Sequence, residues 1–305
     1  MTDESDPSPR ALVEPTTGRP VLMAPQRQKR PKLSHDPTVG ACPFCPGAEH
    51  ETPAEVDAVR AAGADGSAPN SPGWRVRAFP NKYPGNAHHE VIAEGDLHCQ
   101  QPADLEESYW RDVIAIWQRR IRAIEQRPGV HCAFLFKNVG ALAGASIVHN
   151  HSQILGLPEL PPRLQLEQAR AAELQQCPWC AALASADAEG RMILRAPAHA
   201  VLAPTVPRLP HETWLLPLDC GDDFLRTDVA SLAQALHGLF RAVQQGLANP
   251  PFNLWLHRIP SGRFHWHFEL QPRSSQLAGL ELGGDMYINS VPPAQSAARL
   301  RDASS

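Results

Sequence analysis

The chain has 305 residues, 43% hydrophobic and 20% charged, enough for one large or two ordinary domains with a real core. A formal charge of −4 at pH 7 calls for no polyanionic partner such as nucleic acid. No apolar run reaches the roughly 18 residues of a membrane helix, and MTDESDPSPR carries no apolar signal core. A cytoplasmic setting without a membrane partner is therefore expected, with the seven cysteines as thiols or metal ligands rather than disulfides.

Proline, at 31 residues, is about twice its usual share and predicts many ordered loops. Residues 1–19 read as a flexible polar tail. Val21 to Ala24 is a short strand, and Gln26 to Pro31 a basic cluster holding Arg27 and Arg30. Cys42-Pro43-Phe44-Cys45 follows, then a loop at 50–72 rich in Ala, Gly, Asp and Pro. Trp74 to Phe79 and His89 to Glu94 read as strands, the second ending near His98. Asp104 and Glu107 have the spacing of a capping box. They open a helix with an apolar stripe at Trp110, Val113, Ile114, Trp117, Ile121 and Ile124, closed by Pro128-Gly129.

A strand from Cys132 enters the stretch around which the chain is organised, FKNVGALAGASIVHNHSQ at 136–153. Gly140, Gly144 and the small residues between and after them make a turn where backbone approaches a ligand closely. Ile147 to Gln153 alternates like a strand, which puts His149, His151 and Gln153 on one face. Backbone N–H groups, Ser146 and Gln153 suit the oxygens of a phosphate, and one imidazole suits attack on phosphorus.

The pattern then repeats. Cys177-Pro178-Trp179-Cys180 copies the first C-x-x-C, and His211-Glu212 opens a strand as His89-Glu90 does. Cys220 lies nine residues after His211, as His98 lies nine after His89. A second amphipathic helix carries Val229, Leu232, Leu236, Leu239, Phe240, Val243 and Leu247, closed by Asn249-Pro250-Pro251. A strand Phe252–His257 leads to Phe264-His265-Trp266-His267-Phe268, a second H-x-H. The order predicts an α+β protein of two tandem units, 20–160 and 161–302, each an antiparallel sheet with a crossing helix. Gly279 to Asn289 alternates like a strand, and Pro292-Pro293 opens a last helix over Ala294 to Arg301.

Zinc takes four thiolate or imidazole ligands in a tetrahedron. The repeat supplies them twice in one order: Cys42, Cys45, His98 and His149, then Cys177, Cys180, Cys220 and His265, with His257 and His267 as competing ligands at the second. Closed four-coordinate sites leave no room for substrate, so both metals are expected to be structural. Cys99 and Cys132 read as small packed residues.

Over about residues 20–302 the sequence resembles the galactose-1-phosphate uridylyltransferase family of the histidine-triad superfamily. The resemblance is carried by VLMAPQRQKRP, CPFC, FPNKYP, HEVIAE with His98, FKNVGALAGASIVHNHSQI, FHWHFELQPR and GLELGGDMYINSVPPAQSAARLR. It implies two histidine-triad-like units and His151 as a nucleophile that carries a nucleoside monophosphate between a nucleotide sugar and a sugar 1-phosphate. It further implies phosphate contacts from Asn138, Ser146, Gly144 and Gln153, ligand contacts from Arg27, Arg30 and Asn81, zinc on His149, and a homodimer. Gln153 stands where hydrolases of the superfamily have a third histidine, which favours transfer over hydrolysis. Of the hexose-binding residues of better-known transferases, Asp285 alone has a counterpart here, and the second metal set resembles relatives that act as ADP-glucose phosphorylases. The alternatives are thus uridylyl transfer, adenylyl transfer to inorganic phosphate, or a nucleotide-binding regulator without turnover, with zinc or iron as the second metal.

Overall fold

The computed structural model describes residues 8–29, 42–60, 68–99, 101–260 and 264–303. Its strands are β1 (Arg10–Val13), β2 (Pro20–Met23), β3 (Asp57–Arg60), β4 (Trp74–Pro80), β5 (His89–Glu94), β6 (Cys132–Val139), β7 (His151–Leu157), β8 (Met192–Arg195), β9 (His199–Leu202), β10 (Thr213–Pro217), β11 (Phe252–His257) and β12 (His267–Pro272). Its helices are α1 (Glu107–Glu125), α2 (Pro162–Glu173), α3 (Pro178–Ser185), α4 (Val229–Gly246), α5 (Gly279–Gly284) and α6 (Pro293–Asp302).

Ten strands form one antiparallel sheet in the order β3-β4-β5-β7-β6-β11-β12-β10-β9-β8. Each half holds the same chain order, β4-β5-α1-β6-β7 and β9-β10-α4-β11-β12, with the strand order of one half reversed in the other across an antiparallel β6–β11 seam. The expected α+β architecture of two like units is present, with the two sheets fused into one. The seam pairs Phe252 with Val139, Asn253 with Asn138, Leu254 with Lys137 and Trp255 with Phe136.

Period two sorts each strand between two faces. One face packs on α1 and α4. There Trp110, Trp117, Leu236, Phe240, Phe252 and Phe268 belong to a single buried cluster that runs through both halves. Each such side chain contributes roughly 1.5–3 kcal/mol by leaving water. Trp117 also satisfies its indole N–H on the Ser152 hydroxyl of β7, at 2.7 Å. Ser152 and Ile154 face the helices, so His151 and Gln153 face the other way, beside Phe44, Phe79, Val91 and Ala93.

Several local expectations are corrected. Residues 8–19 are not simply tail, because β1 pairs with β2 in a two-stranded hairpin. The 50–72 loop contains edge strand β3. The capping box is not made: the cap of α1 is Glu106, and the Asp104 carboxylate instead accepts from the Gln244 amide of α4 at 3.0 Å. Residues 147–150 are not strand, because Asn150 N–H is taken by the Cys99 carbonyl and the ladder stops at the His151–Ala93 pair. The alternation at 279–289 is not a strand either: α5 forms there, followed by irregular chain. Cys99 accepts from the Asn150 amide at 3.1 Å and Cys132 is buried, as expected of packed residues. Among the described residues no helix is long and apolar enough to cross a membrane.

Candidate active site and metal centres

The first ligand set converges from three segments. Cys42 and Cys45 come from a turn, His98 follows β5, and His149 immediately precedes β7; their ligand atoms all lie within 4.8 Å of one another. Cys45 Sγ is 3.3 Å from His98 Nδ1 and 3.6 Å from His149 Nδ1. Zinc–sulfur and zinc–nitrogen bonds of about 2.3 and 2.0 Å at a tetrahedral angle put S and N roughly 3.5 Å apart, so the set fits that ion. His149 Nε2 donates to the Gly95 carbonyl at 2.9 Å, which leaves Nδ1 as the unprotonated ligand atom. Burial holds that imidazole neutral, its pKa pushed down to about 4. Burial and the neighbouring Cys42 push Cys45 up to about 12, so a cation is needed for Cys45 to stand as a thiolate at neutral pH.

The second set repeats this construction. Cys177 and Cys180 at the start of α3, Cys220, and His265 also lie within 4.8 Å. The His265 Nδ1 is 3.7 Å from Cys177 Sγ and 3.5 Å from Cys180 Sγ, and its Nε2 donates to the Pro217 carbonyl at 2.9 Å. Burial, with the neighbouring Cys220 and Cys177, pushes Cys180 up to about 12. Both predicted donor sets are therefore assembled residue for residue. His257 and His267, expected as competitors, belong to a separate buried group with Glu167 and Glu269. There Glu269 accepts from Arg163 at 2.9 Å and Arg208 at 2.5 Å.

His151 lines a cavity of about 910 Å³ together with Phe44, Phe79, Asn81, Tyr83, Ser146 and Gln153. Its Nδ1 donates to the His149 carbonyl at 2.9 Å. In a neutral ring this places the lone pair on Nε2, the nitrogen a nucleophile needs. His149, a member of the first donor set, therefore also fixes the tautomer of the imidazole two positions on. His267 makes the matching bond to the His265 carbonyl, yet it is fully buried among Trp179, Trp214 and Phe264.

Gln153 is oriented by a relay that the sequence did not announce. Gly85 N–H donates to His89 Nδ1 at 2.8 Å, so the neutral ring carries its proton on Nε2. That Nε2 donates to Gln153 Oε1 at 3.0 Å, and Asn81 Nδ2 approaches the same oxygen at 3.4 Å. With its carbonyl occupied, Gln153 presents the NH₂ group as a donor for an anion. The signal for His89 was its place in HEVIAE, which reads as strand pattern alone.

The other named residues divide. Asn81 lines the cavity, but its Oδ1 accepts from Tyr83 N–H at 2.8 Å, so it is held within the protein at both ends of its amide. Arg27 is not among the residues lining the cavity but donates at 2.7 Å to the carbonyl of Tyr83, which is. Arg30 lies outside the described residues. Gly140 and Gly144 have φ of 80° and 84°, as expected of the turn. Yet the N–H groups of Ala143, Gly144 and Ala145 donate to carbonyls inside the turn, so these three are spent on its shape rather than on a phosphate. Asn138 lies on β6, one residue past the Lys137–Ser152 pair that ends the β6–β7 register, on the His151 side of the sheet but not among the residues lining the cavity. Asp285 is exposed, bonded to the Tyr287 hydroxyl at 3.1 Å, and is not among the residues lining the cavity.

A sequence model of the galactose-1-phosphate uridyl transferase N-terminal domain matches residues 97–161. The chain is 29% identical to an ADP-glucose phosphorylase of Arabidopsis thaliana, across 97% of this chain and 93% of that one. It is 25% identical to a galactose-1-phosphate uridylyltransferase of Thermotoga maritima, across 94% and 96% of the two chains. In three dimensions it resembles the crystal structure of an Arabidopsis thaliana ADP-glucose phosphorylase with bound ADP-glucose, with a TM-score of 0.75 at 28% identity over 97% of this chain and 99% of that one. It also resembles a uridylyltransferase structure, with a TM-score of 0.79 at 25% identity over 96% and 98%. With two like α+β units, an H-x-H-x-Q strand end at a cavity and these matches, the chain is similar along nearly its whole length to ADP-glucose phosphorylase and galactose-1-phosphate uridylyltransferase.

Proposed function

We propose that this chain moves the nucleoside monophosphate of a nucleotide sugar through a covalent bond to His151, and that it is an ADP-glucose-phosphorylase-type enzyme with inorganic phosphate as acceptor. The single observation that carries the covalent step is the Nδ1–H bond from His151 to the His149 carbonyl, at the wall of the cavity. Nε2 attacks the α-phosphorus in line, the bond to the sugar 1-phosphate oxygen breaks, and that group leaves as an anion needing little acid help. Gln153 and Ser146 hold non-bridging oxygens. The acceptor phosphate then attacks the same phosphorus, and Nε2 takes back its electron pair.

The adenylyl choice is supported by the Arabidopsis relative, by the complete second thiolate set, and by the location of Asp285 away from the cavity lining. Zinc, when bound at the two Cys/His sets, supplies structural cross-links. The units are taken as 20–160 and 161–302. A homodimer is supported by apolar side chains left exposed on the hairpin and after α5, such as Leu12, Val13, Leu282 and Ile288. The seven cysteines, none of them in a disulfide, accord with a cytoplasmic setting. Uridylyl transfer to a hexose 1-phosphate is the second reading, favoured by the Thermotoga relative. The test is intact mass after incubation with ADP-glucose or UDP-glucose, followed by a chase with phosphate or galactose 1-phosphate. An adenylyl adduct discharged by phosphate supports the proposal. A uridylyl adduct discharged only by the hexose phosphate supports the second reading, and no adduct with either refutes both.

A further inference from the structure

Asn253 lies on β11, in the second unit, directly opposite Asn138 across the seam. Its Nδ2 is 2.9 Å from the Ala143 carbonyl of the glycine-rich turn and 2.8 Å from Asn138 Oδ1. A carbonyl only accepts, so the Asn253 atom facing Ala143 is its NH₂ group. The same NH₂ spends its other hydrogen on Asn138, and that settles which atom of the Asn138 amide faces β11: it is the oxygen. The Asn138 NH₂ is therefore turned the other way, toward the strand that carries His151. Lys137 pairs with Ser152 at the end of the β6–β7 register, so Asn138, one residue on, lies on the His151 side of the sheet. Asn253 pairs with Asn138, and His151 with Ala93.

We propose that Asn253 is a positioning residue for nucleotidyl transfer: from the second unit it fixes the Asn138 amide as a hydrogen-bond donor to the transferring phosphate and pins the glycine-rich turn beside it. This rests on the phosphate chemistry proposed for His151. It assigns the second unit a role in the first unit's chemistry. The device matches the Gln153 relay on the opposite flank: in each case a protein donor occupies the amide oxygen, and the amide nitrogen remains for the anion. Among the described residues the Asn138 NH₂ has no other partner. Close packing supports the same seam, since a Cβ on Gly140 would stand 3.0 Å from Pro251, two residues before Asn253.

The discriminating pair is Asn253→Ala against Asn253→Asp. Alanine removes the orienting donor and lets the Asn138 amide turn. Aspartate keeps the size but accepts, so it draws the Asn138 NH₂ toward itself and turns the Asn138 oxygen to the phosphate. Loss of one such donor costs about 10²-fold or more in rate. We expect adduct formation about 10-fold slower in N253A and about 100-fold or more slower in N253D, with both still melting cooperatively. In an Asn138→Ala background the two should differ by less than about 3-fold. Asn138→Asp, which still accepts from Asn253, covers the case in which N253D does not fold. It should be at least about 10-fold slower than N138A. Equal rates in N253A and N253D, a gap that survives in N138A, or N138D no slower than N138A would each overturn the inference. Affinity for AMP and UMP by calorimetry is measured on the same variants. If the wild type forms no adduct, the transfer reading falls, and the order of these affinities still decides the Asn253 assignment.

Discussion

Lys137 and Glu94 form an ion pair beneath the strand that carries His151, and breaking it gives a sharp test of the energetics. Their side chains are 1% and 0% exposed, and Lys137 also donates to the His151 carbonyl at 3.2 Å. Among the described residues the second Glu94 oxygen has no hydrogen-bond partner, and the Trp110 ring lies 5.9 Å from the ammonium. Lys137→Met keeps the bulk and strands a buried carboxylate. Loss of one partner of such a pair costs about 3–5 kcal/mol, whereas replacing both with apolar groups is often neutral. We expect K137M to lose about 3–5 kcal/mol in urea unfolding followed by tryptophan fluorescence, and K137M with Glu94→Met to recover most of it. The double variant should still transfer more slowly than wild type, because the His151 carbonyl has lost its donor. A cost below about 1 kcal/mol for K137M, or a double variant as unstable as the single, would refute the reasoning.

Further outcomes follow from the same geometry. His151→Ala should form no nucleotidyl adduct by intact mass while melting within a few degrees of wild type; an adduct that persists rejects this nucleophile. Cys42→Ser or His149→Ala should lose about one equivalent of zinc by elemental analysis, and Cys177→Ser a second. Unchanged metal content would reject the corresponding set. His199 is buried between Ser231 and Thr227, and burial takes its pKa from 6.5 down to about 4. The unfolded chain therefore binds this proton first. The contribution is whole above pH 6.5 and is lost as pH falls toward 4, by at most roughly 3 kcal/mol. His199→Gln should flatten that limb of the stability profile, and an unchanged slope would reject the assignment.

The donor clusters were more legible in the sequence than the chain path. Both Cys/His sets could be read because thiolates and imidazoles at fixed spacings leave few geometries open. β5 and β11 begin and end where their apolar patterns do. Misreadings arose where alternation had another cause. At 147–150 the period-two pattern reflects His149 turning to the cysteines and Asn150 bonding Cys99. At 280–288 the apolar residues Leu280, Leu282, Met286 and Ile288 face solvent, so no sheet set their spacing. Asp104 had cap chemistry but met Gln244 across 140 positions of sequence, which no local rule anticipates. β3 was hidden because an edge strand with Val59 as its one large aliphatic residue carries little pattern. The Asn253 and His89 relays could not be read at all, since they depend on which atoms of distant amides and rings face each other.

The seam has a consequence for how the protein is made. β6 is complete by residue 139, but the strand that covers its outer side begins at residue 252. While the ribosome adds the intervening chain, β6 presents a bare row of backbone donors and acceptors, a template for pairing with another copy. Closing that gap demands contacts far apart in sequence, which slows folding. A nascent or truncated first half would therefore be both catalytically unready and prone to stick to its own kind until the C-terminal strands arrive.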